Sequence, residues 1–184
     1  MSHHVDVILL CEDRQHAAFA RRFLEKRGWN RKWMRVIISP GGSGSGEQFA
    51  RENFPREIQQ LRRRSASGML VVMIDGDTSG PAARKRALDE ACRKQGVEPR
   101  RADEAVAVFV PTWRIETWFA YLDGNNVNEE DRYPKKLPRQ RACRSHVAKL
   151  VKMCEEQRLR EPAPPSLQDA CEEFNTRLLQ RAKT

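Results

Sequence analysis

Aromatic residues are scarce in this chain, at 7% of 184 residues, and only two are tyrosines, Tyr121 and Tyr133. Chemistry built on a tyrosine nucleophile therefore has few places to reside. Long apolar runs are missing too. None approaches the roughly 20 residues that cross a bilayer, so no membrane partner is expected. Val5 to Leu10 is too short for a cleavable leader and carries Asp6. The cysteines, Cys11, Cys92, Cys143, Cys154 and Cys171, are an odd set of five without a CxxC spacing. That pattern argues against structural zinc and for a reducing, cytoplasmic location. His3 and His4 read as part of a loose terminus, and His16 and His146 as ordinary surface or core histidines.

Charge is what the chain has in abundance. Thirty-four basic against 25 acidic side chains leave a net charge of +9. Such an excess favours polyanionic partners, because neutralising phosphates releases condensed counterions. The plainer reading is a soluble basic surface. The length suits one full domain with an appendage.

Strand and helix signals alternate through the first half. Val5 to Cys11 reads as a strand, and Gln15 to Arg27 as a helix with Phe19, Ala20, Phe23 and Leu24 on its apolar face, stopped by Gly28. Arg35 to Ser39 is a second strand, followed by a glycine-serine loop. Because proline is comfortable only in a first turn, the next helix is expected to start near Pro55 and run to Arg64. Met69 to Ile74 and Ala105 to Val110 are strands apolar on both faces, with a helix from Pro81 to Lys94 between them. Such strands need helices on both sides, so the order predicts an α/β, doubly wound, mostly parallel four-stranded sheet. Ile115 to Leu122 is a short apolar helix. Two amphipathic helices, Arg141 to Gln157 and Ser166 to Arg181, follow a polar stretch, with Ser166 and Asp169 as a cap for the second. This divides the chain into an α/β domain, 1–122, and a basic loop with a small helical C-terminal extension, 123–184.

The chemistry concentrates where apolar runs end in acids. Val71-Val72-Met73-Ile74 breaks off at Asp75-Gly76-Asp77-Thr78-Ser79-Gly80, and the first strand ends at Glu12-Asp13. In a parallel sheet the functional crevice lies at the carboxyl ends of the strands. Glu12, Asp75 and Asp77 belong there, with Gly76 removing bulk between the aspartates. Three close carboxylates repel unless a cation joins them, and magnesium suits oxygen donors beside phosphate, with manganese as the alternative. The competing reading is that these acids only cap the helices that follow. An EF-hand loop also begins D-x-D-x-S-G, but its twelfth position should be glutamate and is Arg86 here. A haloacid-dehalogenase-like phosphohydrolase, with Asp75 as nucleophile and Asp77 as general acid, leaves Glu12 unused and stands as the runner-up.

Glutamate closing the first strand and D-x-D closing the third resemble the Toprim domain. That module is shared by topoisomerases, bacterial primases, small RNA-maturation nucleases and overcoming-lysogenization-defect nucleases of phage-defence systems. The resemblance covers about residues 5 to 122. It implies a Toprim-like sheet, with Glu12 as acid/base or metal ligand and Asp75 and Asp77 as magnesium ligands. The family often has glycine after its glutamate, where this chain has Asp13. Topoisomerase and primase activities would require domains for which there is no room, so a small nuclease cutting DNA or RNA is the member that fits. The stretch Arg114-Ile115-Glu116-Thr117-Trp118 is similar to stand-alone Toprim proteins encoded near ATPases. A non-catalytic subunit docking on an ATPase partner is therefore a further alternative, and homodimerisation is left open.

Glu116 follows the fourth strand and is an auxiliary catalytic acid or a helix-start glutamate favoured by the macrodipole. Trp113 and Trp118 flank it as core residues or a base-stacking surface. Arg114 together with Lys135, Lys136, Arg139 and Arg141 forms the candidate grip on a nucleic-acid backbone, the alternative being a solvated linker. Gly41 to Gly46 lacks the lysine of a P-loop and reads as a mobile loop over the sheet edge.

Overall fold

The structure is a computed structural model that describes residues 6–41, 45–64, 68–131 and 143–179. Its centre is a sheet of β1 (Val7–Cys11), β2 (Met34–Ile38), β3 (Met69–Met73) and β4 (Val106–Phe109), in the order β2-β1-β3-β4. Every pairing is parallel. β1 and β3 are buried along their whole length, as strands covered on both faces must be. β2 is half exposed and forms one edge.

Side-chain alternation sorts the helices into two layers. Val7, Leu9, Cys11, Val71, Met73 and Phe109 face α1 (Arg14–Lys26), α4 (Ile115–Leu122), α5 (Cys143–Glu155) and α6 (Pro165–Glu173). Ile8, Leu10, Leu70, Val72 and Val108 face α2 (Gly46–Arg63) and α3 (Gly80–Lys94). The two C-terminal helices thus share the buried cluster of the α/β unit. Among the described residues no helix is long and apolar enough to cross a membrane.

Three expectations are corrected. Pro55 does not start α2 but sits inside it. Ser45 caps the helix earlier by accepting the Gln48 N–H at 3.0 Å, and Ala50 and Phe54 are buried on the sheet upstream of the proline. Packing outweighs the roughly 3 kcal/mol that an interior proline costs. Nor does Ser166 cap α6: the cap position is Pro164, and Ser166 Oγ instead accepts the buried Trp118 Nε1–H at 2.8 Å. α6 also ends early, at Glu173, and continues as a π-helical segment, Phe174–Leu179, with Phe174 packed edge-on against Phe23 at 5.0 Å.

The β4 edge is closed by an ion pair. Arg100 Nη1 donates to the Val106 carbonyl at 3.1 Å and to Glu173 Oε2 at 2.6 Å, while the same carboxylate oxygen accepts the Val108 N–H at 3.0 Å. Side chains from a loop and from α6 thereby replace the missing strand.

Candidate functional site

The neighbours β1 and β3 send their following helices to opposite faces, so the gap between their carboxyl ends is the switch point of the sheet. Their registers end level, with Cys11 opposite Met73. Glu12 and Asp75 therefore leave adjacent strands side by side. The Glu12 N–H continues the ladder to the Met73 carbonyl at 3.1 Å, and Glu12 Oε2 accepts the Asp75 N–H at 2.8 Å.

A histidine completes the cluster. His16, on the first turn of α1, is 1% exposed, with Nε2 at 2.9 Å from Asp75 Oδ1 and Nδ1 at 2.8 Å from Asp13 Oδ1. Asp13 also caps α1, accepting the Gln15 and His16 N–H groups at 2.7 and 2.9 Å. Donor atoms of Glu12, His16 and Asp75 lie within 4.8 Å of one another, a spacing that could hold a metal ion.

Burial alone would lower the His16 pKa, but the bonds to Asp13 and Asp75 raise it to about 10. Burial likewise works to raise Asp13, and the partnership with His16 outweighs it, holding the carboxyl at about 2. His16 is thus an imidazolium donating to both aspartates. Glu12 moves the other way: burial raises its carboxyl, only partly opposed by the Asp75 N–H.

Glu12 and Asp75 each have one carboxylate oxygen engaged. Asp75 Oδ1 also accepts the Ile115 N–H at 3.0 Å, so it satisfies the start of α4, where Arg114 offers no side-chain cap. The helix-capping reading of the acids is therefore partly realised, by Asp13 on α1 and by Asp75 across the sheet on α4. Among the described residues, Glu12 Oε1 and Asp75 Oδ2 receive no hydrogen bond.

Asp77 is placed differently. After Gly76 the chain turns, with Asp77 at φ 44°, and pairs antiparallel with Trp113 through N–H···O bonds of 3.0 and 2.8 Å. The Asp77 side chain is 58% exposed and bound to Arg84 Nη2 at 2.8 Å. Arg84 also donates to the Asp75 carbonyl at 3.1 Å and stands 3.4 Å from Glu47. Gly76 is needed for a close approach. Its N–H reaches the Pro111 carbonyl at 2.8 Å, and a Cβ there would meet that oxygen at 2.9 Å. A Cβ on Gly46 would likewise collide with Glu12, so the start of α2 presses directly on the glutamate.

Glu116 is buried in the first turn of α4 and is not one of the three clustered donors. Trp118 is 1% exposed, which rules out base stacking, whereas Trp113 lies nearer the surface with Nε1 donating to the Glu130 carbonyl at 3.3 Å. Arg114 is the residue before α4, half-buried. Lys135, Lys136, Arg139 and Arg141 lie outside the described residues. An open pocket of about 540 Å³ adjoins the cluster, lined by Glu12, Asp13, Arg14, Pro40 and Gly46.

Sequence reasoning singled out Glu12 and Asp75, which the structure brings together, and passed over His16 and Arg84, which contact Asp75. The signal for His16 was its place three residues after Asp13 at a helix start, where the two share one face. Compared with models of protein families, with curated proteins and with solved structures, the chain matches none.

Proposed function

We propose that this chain is a divalent-metal-dependent nuclease, hydrolysing phosphodiester bonds of DNA or RNA on a Toprim-like sheet, with magnesium as its ion and manganese as a substitute. The observation that carries the reading is the pairing of Glu12 and Asp75 at the switch point, each with one oxygen anchored and one left open. Glu12 Oε1 and Asp75 Oδ2 would hold the ion. When bound, such an ion polarises the phosphate and lowers the pKa of attached water.

The chain's own residues do the rest. His16 and the Ile115 N–H fix the Asp75 carboxylate in one orientation, which spares an entropic cost on binding. Oε1 of Glu12 can serve in only one of two roles, as a donor to the ion beside Asp75 or, with the carboxyl raised by burial and off the ion, as the acceptor of a proton from the attacking water. Arg14 lines the pocket beside it, where a phosphate backbone would lie. The dehalogenase-type alternative gains nothing from this geometry: Asp77, its general acid, is engaged with Arg84, and Glu12 and His16 are left without a task.

A second reading has its own support. The His16 imidazolium already places a positive charge between Asp13 and Asp75, so the cluster is partly neutralised without an ion. That favours a non-catalytic subunit that docks on a partner, such as an ATPase. Magnesium and manganese titrations with labelled DNA and RNA, comparing wild type with Asp75→Asn and Glu12→Gln, separate the two. Metal-dependent cleavage lost in both variants supports the nuclease. No cleavage of any substrate, or cleavage that persists in Asp75→Asn, overturns it.

A further inference from the structure

We propose that Cys154 and Cys171 form a redox-active dithiol, which a peroxide closes into a reversible disulfide joining α5 to α6. Their sulfurs are 3.9 Å apart across the two helices. Both are free and partly exposed, whereas Cys11, Cys92 and Cys143 are buried. They line an open pocket of about 940 Å³ together with Arg27 and Met153, wide enough to admit a small oxidant. Closure requires the sulfurs to approach by roughly 2 Å to reach bonding distance.

The two thiols are unequal. The contact with Cys171 lowers the Cys154 thiol most, with burial opposing it and Arg27 adding to the effect. The same contact raises Cys171, reinforced by burial. Arg27 lines the same pocket and favours the anionic form of Cys154 but not of Cys171, which makes Cys154 the attacking thiolate and Cys171 the resolving thiol. Cys154 thiolate attacks one peroxide oxygen and breaks the O–O bond, giving a sulfenic acid and hydroxide, which takes up a proton to become water. Cys171 sulfur then attacks the sulfenic sulfur, and its proton leaves with the displaced hydroxyl as a second water. Two thiols are thereby oxidised and one peroxide reduced, and a dithiol reductant reverses the change by exchange. A resident metal ion fits less well: among the described residues no histidine, cysteine or carboxylate completes a three-donor cluster with this pair.

The inference does not depend on the nuclease reading. Its test is brief hydrogen peroxide treatment of the full chain, followed by thiol counting after denaturation and by non-reducing peptide mapping. The expected result is a fall from the five thiols of the sequence to three, a cross-linked peptide containing residues 154 and 171, and full recovery with dithiothreitol. The oxidised protein should melt roughly 5–10 °C higher, since the link removes conformational freedom from the unfolded chain. Cys171→Ser should stop at a sulfenic acid on Cys154 and form no cross-link. An unchanged thiol count in wild type, a link between other cysteines, or oxidation that dithiothreitol does not reverse overturns the proposal, whatever the variant's own folding.

Discussion

The Asp75 backbone N–H donates to Glu12 Oε2 at 2.8 Å, so the loop leaving β3 is tied to the carboxylate leaving β1. This bond gives Glu12 a structural duty separate from any chemistry. Glutamine keeps an oxygen in the accepting position and alanine does not. Glu12→Gln should therefore melt within about 2 °C of wild type while losing metal-dependent cleavage. Glu12→Ala leaves the Asp75 N–H without its acceptor and should lose about 1–3 kcal/mol in chemical denaturation. Because burial raises the Glu12 carboxyl, its ionisation costs stability as pH rises through its folded value, and the uncharged glutamine escapes that cost.

His16 should behave as a positioning residue. His16→Ala removes the donor to both Asp13 and Asp75. It leaves one exposed and one largely shielded carboxylate without their cation, and a loss of about 2–3 kcal/mol is expected. Cleavage should fall about 10–100-fold, with a higher metal concentration needed for half-maximal rate, as for loss of a group that orients a ligand. Half-maximal metal concentration unchanged from wild type would remove His16 from that role.

Much of the sheet was legible, for a physical reason. A strand covered on both faces must be apolar at every position, and β1 and β3 are. Their polar ends then mark the crevice, which is how Glu12 and Asp75 could be read. Asp77 shows where such reading stops. D-x-D spacing says nothing of the left-handed turn after Gly76 or of Arg84, seven residues on, which takes the carboxylate. Pro55 misled because its local cost is visible in sequence and the offsetting burial of Phe54 is tertiary. The links of Trp118 to Ser166 and of Lys85 to Asp169 likewise join residues far apart in sequence, so no local pattern announces them.

Asp77 and Asp75 should part company on substitution. The Toprim resemblance makes both of them ion ligands, yet only Asp75 clusters with Glu12. Asp75→Asn is expected to abolish detectable cleavage. Asp77→Asn should lower it by about tenfold or less and leave the metal dependence close to wild type, since it disturbs an exposed pair with Arg84. Equal loss in the two variants would show that Asp77 swings onto the ion.

Glu173 should control both the acid limit of stability and the behaviour of the sheet edge. Burial works to raise its carboxyl, but Arg100 and Lys85 outweigh burial and lower it from the ordinary 4.5. A carboxyl depressed in the folded state contributes stability that is complete above its unfolded pKa. That contribution is lost as pH falls through the folded value. Wild type should therefore lose stability below about pH 4.5 more steeply than Glu173→Gln. At neutral pH the variant should be weaker by about 3 kcal/mol, or roughly 6–12 °C in Tm, because Arg100 keeps its buried charge without a counterion. Glutamine can still accept the Val108 N–H, whereas Glu173→Ala uncovers it and opens the β4 edge to other strands. Light scattering against concentration should then show self-association for the alanine variant alone. Equal scattering from all three proteins would mean that the helical extension, and not this ion pair, guards the edge.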